Sequence, residues 1–256
     1  MGSLSRIIAL IYRDLLIIKR SKWRLVEIFY FPLTTMIMWG FFASYSKSFA
    51  AEAGLLVLVI SLFWNFAYVA QSTVNMQMME DAWSGSLKQL FLSGVSEIEY
   101  VVARMVTATL MSLPVLAMMF AVSLFSGWNF VAVLPTAAII SLLTLLTSLA
   151  MAVLIIGLIV VLGRGYGFLA WTALQAFVLL SAPFFPKEVF PGVRRRGSEV
   201  MPYTYIFEAA RNLVTGAPVL LGKAAATTTI YFIIAWPIYV YCFRIARKNG
   251  NLVKLA

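Results

Sequence analysis

Few residues in this chain are of the types that perform chemistry. Its 256 residues include no histidine and a single cysteine, Cys242. A His-based catalytic triad and a His-containing zinc site are therefore excluded. One cysteine provides neither an internal disulfide nor a Cys-only metal site. We predict no catalytic residue and no metal site.

A nucleotide site is not predicted either. The glycine-rich stretch from Gly163 to Gly167 lacks the Lys-Ser/Thr pair that ends a Walker A sequence, and no GxxxxGK[ST] occurs elsewhere in the chain. We interpret the stretch as a short turn between two membrane spans. The chain is thus predicted to hold no cofactor of its own.

An apolar stripe with charged neighbours occupies residues 75–104. On one continuous helix the apolar residues share a face, and the polar residues lie largely off it. Such a segment either docks on a soluble partner or rests on the membrane surface. The apolar members are Trp83, Leu87, Leu90 and Phe91, and the polar members are Glu80, Asp81, Ser84 and Lys88.

Proline and glycine punctuate residues 186–222, which excludes one long helix there. The apolar content predicts pieces that dip back into the membrane, because a freely solvated loop is more polar. Residues 203–214, after Pro202, are predicted to form a short helix. Glu208 and Arg211 are three residues apart on it and suit a side-chain pair, either structural or in contact with a substrate.

The elements that position these residues must lie in a membrane. Hydrophobic residues make up 62% of the chain and charged residues 12%, whereas soluble domains are about half apolar and a quarter charged. The net charge of +10 is concentrated at the chain ends beside apolar runs. That placement indicates membrane orientation rather than nucleic-acid binding.

Six spans are predicted, each of about 20 mostly apolar residues. The charge-free stretch 105–162 is too long for one span, and Gly127-Trp128-Asn129 divides it. The predicted spans are residues 27–45, 54–74, 105–126, 130–162, 167–185 and 224–243. The fold class is an all-α integral membrane protein that forms one transmembrane domain over residues 1–256.

The distribution of Lys and Arg predicts that both termini are cytoplasmic. With that orientation, 13 of the 20 basic residues lie inside and seven outside. The run Arg194-Arg195-Arg196 on the outer side is the main exception. Within residues 1–24, the apolar positions from Leu4 to Ile18 recur at helical spacing and predict an amphipathic helix in the inner interface, as a topogenic anchor or a gating element.

Charged residues are nearly absent from the spans. Glu27 and Arg104 fall at predicted inner ends, where their side chains are expected to snorkel to water. Neutral polar residues such as Asn65, Gln71 and Gln175 are interpreted as helix-packing groups. Without a mid-membrane carboxylate to bind a driving ion, uphill transport requires energy from another subunit.

Aromatic residues crowd the first span. They either line a path for sugars by stacking or form the aromatic belts at the two membrane interfaces, and the belts explain most of them. The residues are Phe29, Tyr30, Phe31, Trp39, Phe41, Phe42 and Tyr45.

Two stretches resemble the ABC-2 type permeases. Residues 80–90, followed by Ser93 and Glu97, resemble the family's cytoplasmic coupling helix, with Lys88 where an acidic residue is expected and Gly94 where proline is common. Residues 183–216 resemble its outer re-entrant segment. The candidate ATPase-coupling residues are Glu80, Asp81, Trp83, Gly85, Leu87, Lys88 and Leu90, and those of the outer segment are Pro202, Glu208 and Arg211.

The resemblance implies an exporter subunit in the cell membrane. It implies a permease homodimer with two separate ATPase subunits, which would supply ATP and Mg²⁺. Two other classes stay open. An integral lipid-modifying enzyme requires converging acids, for which Glu97 and Glu99 are the only candidates, and a passive channel or scramblase requires no partner.

Overall fold

The computed structural model describes residues 2–125 and 130–250. Within those residues the chain is helical and contains no strand. The helices are α1 (Ser3–Arg20), α2 (Lys22–Leu25), α3 (Phe31–Ser46), α4 (Ala51–Trp83), α5 (Ser86–Leu92), α6 (Glu97–Phe125), α7 (Phe130–Leu162), α8 (Leu169–Leu180), α9 (Val193–Val200), α10 (Thr204–Thr215) and α11 (Leu221–Lys248).

Five helical stretches among the described residues are long and apolar enough to cross a membrane. The first is Lys22–Ser46, in which α2, a π-helical turn at Val26–Tyr30 and α3 are continuous. The π turn directly precedes Pro32, whose missing N–H removes one hydrogen bond of the regular helix. The other four are Ala51–Trp83, Glu97–Met119, Ala132–Leu162 and Leu221–Lys248.

The predicted span at 167–185 is shorter than expected. It contains α8, an apolar helix of 12 residues, which is about 18 Å long, whereas the hydrocarbon core is about 30 Å thick. The helix ends where Ala182 takes a positive φ of 49° before Pro183. The six-span count is therefore not confirmed: the described residues show five helices that are long and apolar enough to cross a membrane, and α8 is a shorter apolar helix. The predicted break at residues 127–129 lies outside the described residues.

Helix α4 is the centre of the bundle and packs against α3, α6, α7 and α10. It has 33 residues and is about 50 Å long. It therefore continues well past the predicted span end at Val74, to Trp83. Part of what was predicted as an inner loop is the end of this helix.

The two chain ends meet at one end of the bundle, which we call the terminal end. Arg6 of α1 pairs with Glu99 at the start of α6, at 2.7 Å. Arg247 at the end of α11 pairs with Glu97, at 2.9 Å. The described parts of both termini, the start of α6 and the end of α4 thus lie together. The α9–α10 segment lies toward the opposite end.

The outer segment folds back into the bundle. The Tyr203 hydroxyl, just before α10, lies 3.0 Å from the Ser148 hydroxyl. Ser148 is near the middle of α7. The Tyr231 hydroxyl of α11 donates to the Val200 carbonyl, at 2.9 Å. The turn between α9 and α10, which contains the buried Pro202, therefore reaches the mid-depth of the helices.

The amphipathic pattern of the N-terminus becomes α1, which packs against α6. Leu10, Asp14 and Ile18 are buried, whereas Leu4, Ile8 and Tyr12 are exposed. The face that turns into the protein thus includes the acid Asp14 between two apolar residues.

Candidate functional site

The site begins at the junction of α4 and α5. Gly85 separates the helices with a φ of 71°, a left-handed conformation that glycine adopts without a steric penalty. Because the helix is broken there, Trp83 and Leu87 do not share a continuous helical face. The expectation of one apolar stripe across Trp83, Leu87 and Leu90 is wrong for this reason.

Asp81, in the last turn of α4, is the centre of a buried ionic network. It pairs with Arg104 of α6 and with Arg13 of α1. The Tyr100 hydroxyl and the Ser86 hydroxyl each donate to its carboxylate, at 2.9 Å. One carboxylate thus connects α1, α4, α5 and α6.

Arg104 continues the network to a second acid. It pairs with Asp14 of α1 as well as with Asp81, and its side chain is 1% exposed. Burial raises the pKa of the Asp14 carboxyl, and the neighbouring Arg104 guanidinium opposes that rise. Thr107 donates to Asp14, at 3.5 Å. The network satisfies both acids by contacts between helices, as a buried charge requires.

A second arginine bridges the first span to α4. Arg24 pairs with Glu27 and with Glu80, each at 2.8 Å. Arg24 and Glu27 are buried. The expectation that Glu27 and Arg104 snorkel to water is therefore wrong, because both find counter-charges inside the protein.

A small cavity lies beside Arg104. Its volume is about 10 Å³ and its lining includes Asp14, Gln77 and Asp81, which is room for at most one water molecule. Both polar side-chain atoms of Gln77 are buried without a protein partner. The cavity is too small for a solute.

The predicted coupling residues differ in burial and form three groups. Asp81 and Leu87 are buried, and Leu87 is 0% exposed in the core beside α6. Trp83 is 45% exposed and stacks on Trp171 at 6.0 Å between ring centroids. Lys88 is exposed, and Glu80, Gly85 and Leu90 are half-buried. Leu92, not among the predicted residues, is 76% exposed.

Glu97 and Glu99, the acids considered for a lipid-modifying enzyme, are both occupied by ion pairs. Glu99 binds Arg6 and accepts a hydrogen bond from the Ser96 N–H, at 2.9 Å. Glu97 binds Arg247. Neither carboxylate converges with another candidate catalytic group in the described residues.

At the opposite end, Arg211 and Glu208 share α10 but form no ion pair with each other. Arg211 donates to the Ala182 and Pro183 carbonyls, at 2.6 Å and 3.0 Å. Glu208 pairs instead with Lys187, at 3.4 Å. Arg211 is buried. The predicted pair is therefore replaced by two contacts that tie α10 to the end of α8 and to the following turn.

Sequence patterns did not indicate a cavity between α3, α4 and α8. Its volume is about 290 Å³, and aromatic rings, amides and hydroxyls line it without any charged side chain. Phe31 and Trp39 of the first span contribute to it, whereas Phe41 and Tyr45 are exposed on the outside of the bundle. The lining residues are Phe31, Pro32, Thr35, Trp39, Ser61, Trp64, Asn65, Tyr68, Gln175 and Phe184.

The sequence analysis also missed Arg13, Asp14 and Arg24. One signal for Asp14 was present: with Leu10 and Ile18 it recurs at every fourth position, which places all three on one helical face. Arg24 and Glu27 are three residues apart, a spacing that also suits a local pair. The other partners, Glu80, Asp81 and Arg104, lie far along the chain from these residues, and no local pattern identifies them.

The comparison with protein families gives the family of the chain. The family model for the ABC-2 type transporter matches residues 5–215. The chain belongs to the ABC-2 type transporter family. The match includes α1 through α10, and therefore both the ionic network and the α9–α10 segment. A search of curated proteins finds no match to this chain.

An ABC-2 type chain is a transmembrane component of a transporter and is not itself catalytic. The apolar helices fit such a permease. Family members normally work with ABC ATPase partners.

Proposed function

We propose that this protein is the membrane subunit of an ATP-driven ABC-2 exporter, and that it works as a homodimer with two ATPase subunits. The observation that carries the proposal is the ionic network around Asp81. It attaches the short α5 to three other helices, so a force on α5 has a rigid connection to α1 and α6.

The ATPase is proposed to dock on the exposed side of the α4–α5 turn. That side presents Trp83, Lys88 and Leu92. Leu87 and Asp81 face inward, so their proposed role is to anchor α5, while the exposed residues contact the partner. This division keeps the predicted coupling segment and reassigns the role of its buried members.

The protein is proposed to lie in the cell membrane, with its terminal end facing the cytoplasm. The excess of Lys and Arg on that side supports the orientation. ATP and Mg²⁺ would bind to the partner ATPases. The proposed direction of transport, export rather than import, is supported only by the resemblance to the family.

The cavity between α3, α4 and α8 is the proposed surface for substrate contact. The cavity is partly open to the surface of the bundle. Its aromatic rings and neutral polar groups suit a substrate whose surface is uncharged and partly apolar. A second permease copy would complete the path.

The first test is co-purification from native membranes, with identification of bound proteins and an ATPase assay. Leu92→Asp and Lys88→Glu are expected to leave the protein folded while the ATPase is lost. Leu87→Asp places a charge in the core and is expected to reduce the amount of folded protein. Val189→Asp, equally exposed at the opposite end, is the matched control and is expected to retain the partner.

A purified homo-oligomer without a nucleotide-binding partner would overturn the exporter proposal. Solute or lipid movement in liposomes that needs neither ATP nor a partner would favour a passive channel or scramblase. Retention of the ATPase by Leu92→Asp and Lys88→Glu would place the docking surface elsewhere while leaving the family assignment intact.

A further inference from the structure

Three consecutive arginines lie on α9 without an ion-pair partner among the described residues. Arg194, Arg195 and Arg196 are all exposed, and no side chain of the three takes part in an ion pair or hydrogen bond there. The nearby acid Glu208 is already paired with Lys187. The three charges are therefore available to a ligand.

The surface around them is concave. Arg195 and Arg196 line a depression of about 590 Å³ together with Phe190, Gly192 and Glu199. Glu199 is the one acid in the lining, so the depression has a net positive charge. A guanidinium group pairs with phosphate in a bidentate geometry.

The position of α9 along the helices indicates what this surface meets. Lys187, which precedes α9, lies over the Tyr205 ring, as does Lys223 near the start of α11. The other end of α9, at Val200, is level with Tyr231. Tyr231 is the eleventh residue of α11 and lies about 15 Å from the start of that helix. The arginines lie between Lys187 and Val200 in the chain, and we therefore place them between these two levels.

This depth corresponds to the lipid headgroups. Helix α11 has 28 residues and is about 42 Å long, which matches a bilayer of about 40–45 Å with its polar layers. Arginines near the level of the start of α11 therefore lie beside lipid phosphates, or reach them by snorkelling. Exposed Val189 and Val200 flank the basic run and suit the apolar side of that interface.

We infer that Arg194, Arg195 and Arg196 bind the phosphate headgroups of anionic lipids in the leaflet opposite the termini. The inference goes beyond the proposed function, because it requires neither an ATPase nor a transported solute. It also gives a physical reason for basic residues on the side where they are otherwise depleted: they anchor α9 at the membrane surface.

The test measures lipid composition next to α9. The full chain with Cys242→Ser and Val200→Cys, labelled with a fluorophore, is reconstituted into mixed phosphatidylcholine and phosphatidylglycerol vesicles. Bromine-labelled chains are placed on one lipid or the other, and the ratio of quenching reports the local enrichment of phosphatidylglycerol. A label at Leu92→Cys, at the terminal end, is the positional control.

We expect enrichment at position 200 that falls roughly threefold to tenfold in the R194Q/R195Q/R196Q variant and persists in R194K/R195K/R196K, because each basic residue adds attraction to an anionic surface. The Leu92→Cys label is expected not to respond to the glutamine changes. Equal enrichment in the wild type and the glutamine variant would overturn the inference.

Discussion

Asp81 accepts contacts from four side chains, which makes it the residue on which the terminal end most depends. Arg13, Arg104, Tyr100 and Ser86 all converge on its carboxylate. Asp14 has fewer partners, and burial raises the pKa of its carboxyl, which means that its ionised form is less stabilised by the fold. We therefore expect Asp81 to contribute more than Asp14 to the free energy of unfolding.

Asp81→Asn is expected to lower the free energy of unfolding by about 3–5 kcal/mol, because it leaves buried arginine charge uncompensated. Asp14→Asn is expected to lower it by less, since Arg104 keeps its contact with Asp81. Thermal unfolding of the purified protein in detergent measures both. Equal losses in the two variants would show that Asp14 bears as much of the ionic stabilisation as Asp81.

Gly54 is required by close packing between α3 and α4. A Cβ at this position would lie 1.6 Å from the Ser46 hydroxyl oxygen and 3.1 Å from the Ala43 backbone. Gly54→Ala is expected to destabilise the protein by about 1–3 kcal/mol, because overpacking forces the helices apart.

Gly222 provides the control for that substitution. A Cβ there meets nothing within 4 Å, and Gly222→Ala is expected to be neutral or slightly stabilising in the same unfolding measurement. Gly54→Ala combined with Ser46→Gly is expected to recover part of the loss. No recovery would assign the effect to the Ala43 backbone.

At the scale of elements, α5 and α10 are both short helices held by contacts to other parts of the chain. Helix α5 is attached through Ser86 and the burial of Leu87. Helix α10 is attached through Arg211, which binds two carbonyls at the end of α8. Short helices are marginal in isolation, so their positions depend on such contacts.

Arg211→Met is expected to destabilise the α9–α10 segment by about 1–3 kcal/mol, since it leaves buried carbonyls of Ala182 and Pro183 without a donor. Lys187→Met removes a partly exposed ion pair and is expected to have a smaller effect, about 0–1 kcal/mol. Limited proteolysis within residues 186–222 compares the two. Faster cleavage in Lys187→Met than in Arg211→Met would contradict the role given to Arg211.

At the scale of the whole molecule, the ionic contacts separate two ends with different chemistry. The terminal end contains the buried network, the exposed α5 and the described termini. The opposite end contains α9, α10 and the loop between α3 and α4. The proposed function requires that these ends face different compartments.

Cysteine labelling in intact cells tests this orientation. In a Cys242→Ser background, Leu92→Cys is expected to resist a membrane-impermeant thiol reagent until the cells are opened. Phe49→Cys and Val189→Cys, exposed at the opposite end, are expected to react in intact cells. The reverse pattern would invert the orientation that the distribution of Lys and Arg predicts.

The apolar runs of α3, α4, α6, α7 and α11 could be predicted from the sequence because span length and hydrophobicity are local properties. The resemblance at residues 80–90 and 183–216 also identified the family, which the match over residues 5–215 confirms. The short length of α8 was harder to predict from the sequence. Its apolar stretch is long enough to span a membrane, and the turn at Ala182 interrupts it.

The sequence by itself determined that this protein lies in a membrane and belongs to a transporter family, since both depend on composition and short motifs. Only the tertiary structure decided which charges are buried and which residues are free to dock. Asp14 and Arg104 are distant in the chain and meet through the packing of α1 on α6. Leu87 faces inward because Gly85 breaks the helix before it, and a turn of that kind changes the direction of every side chain that follows.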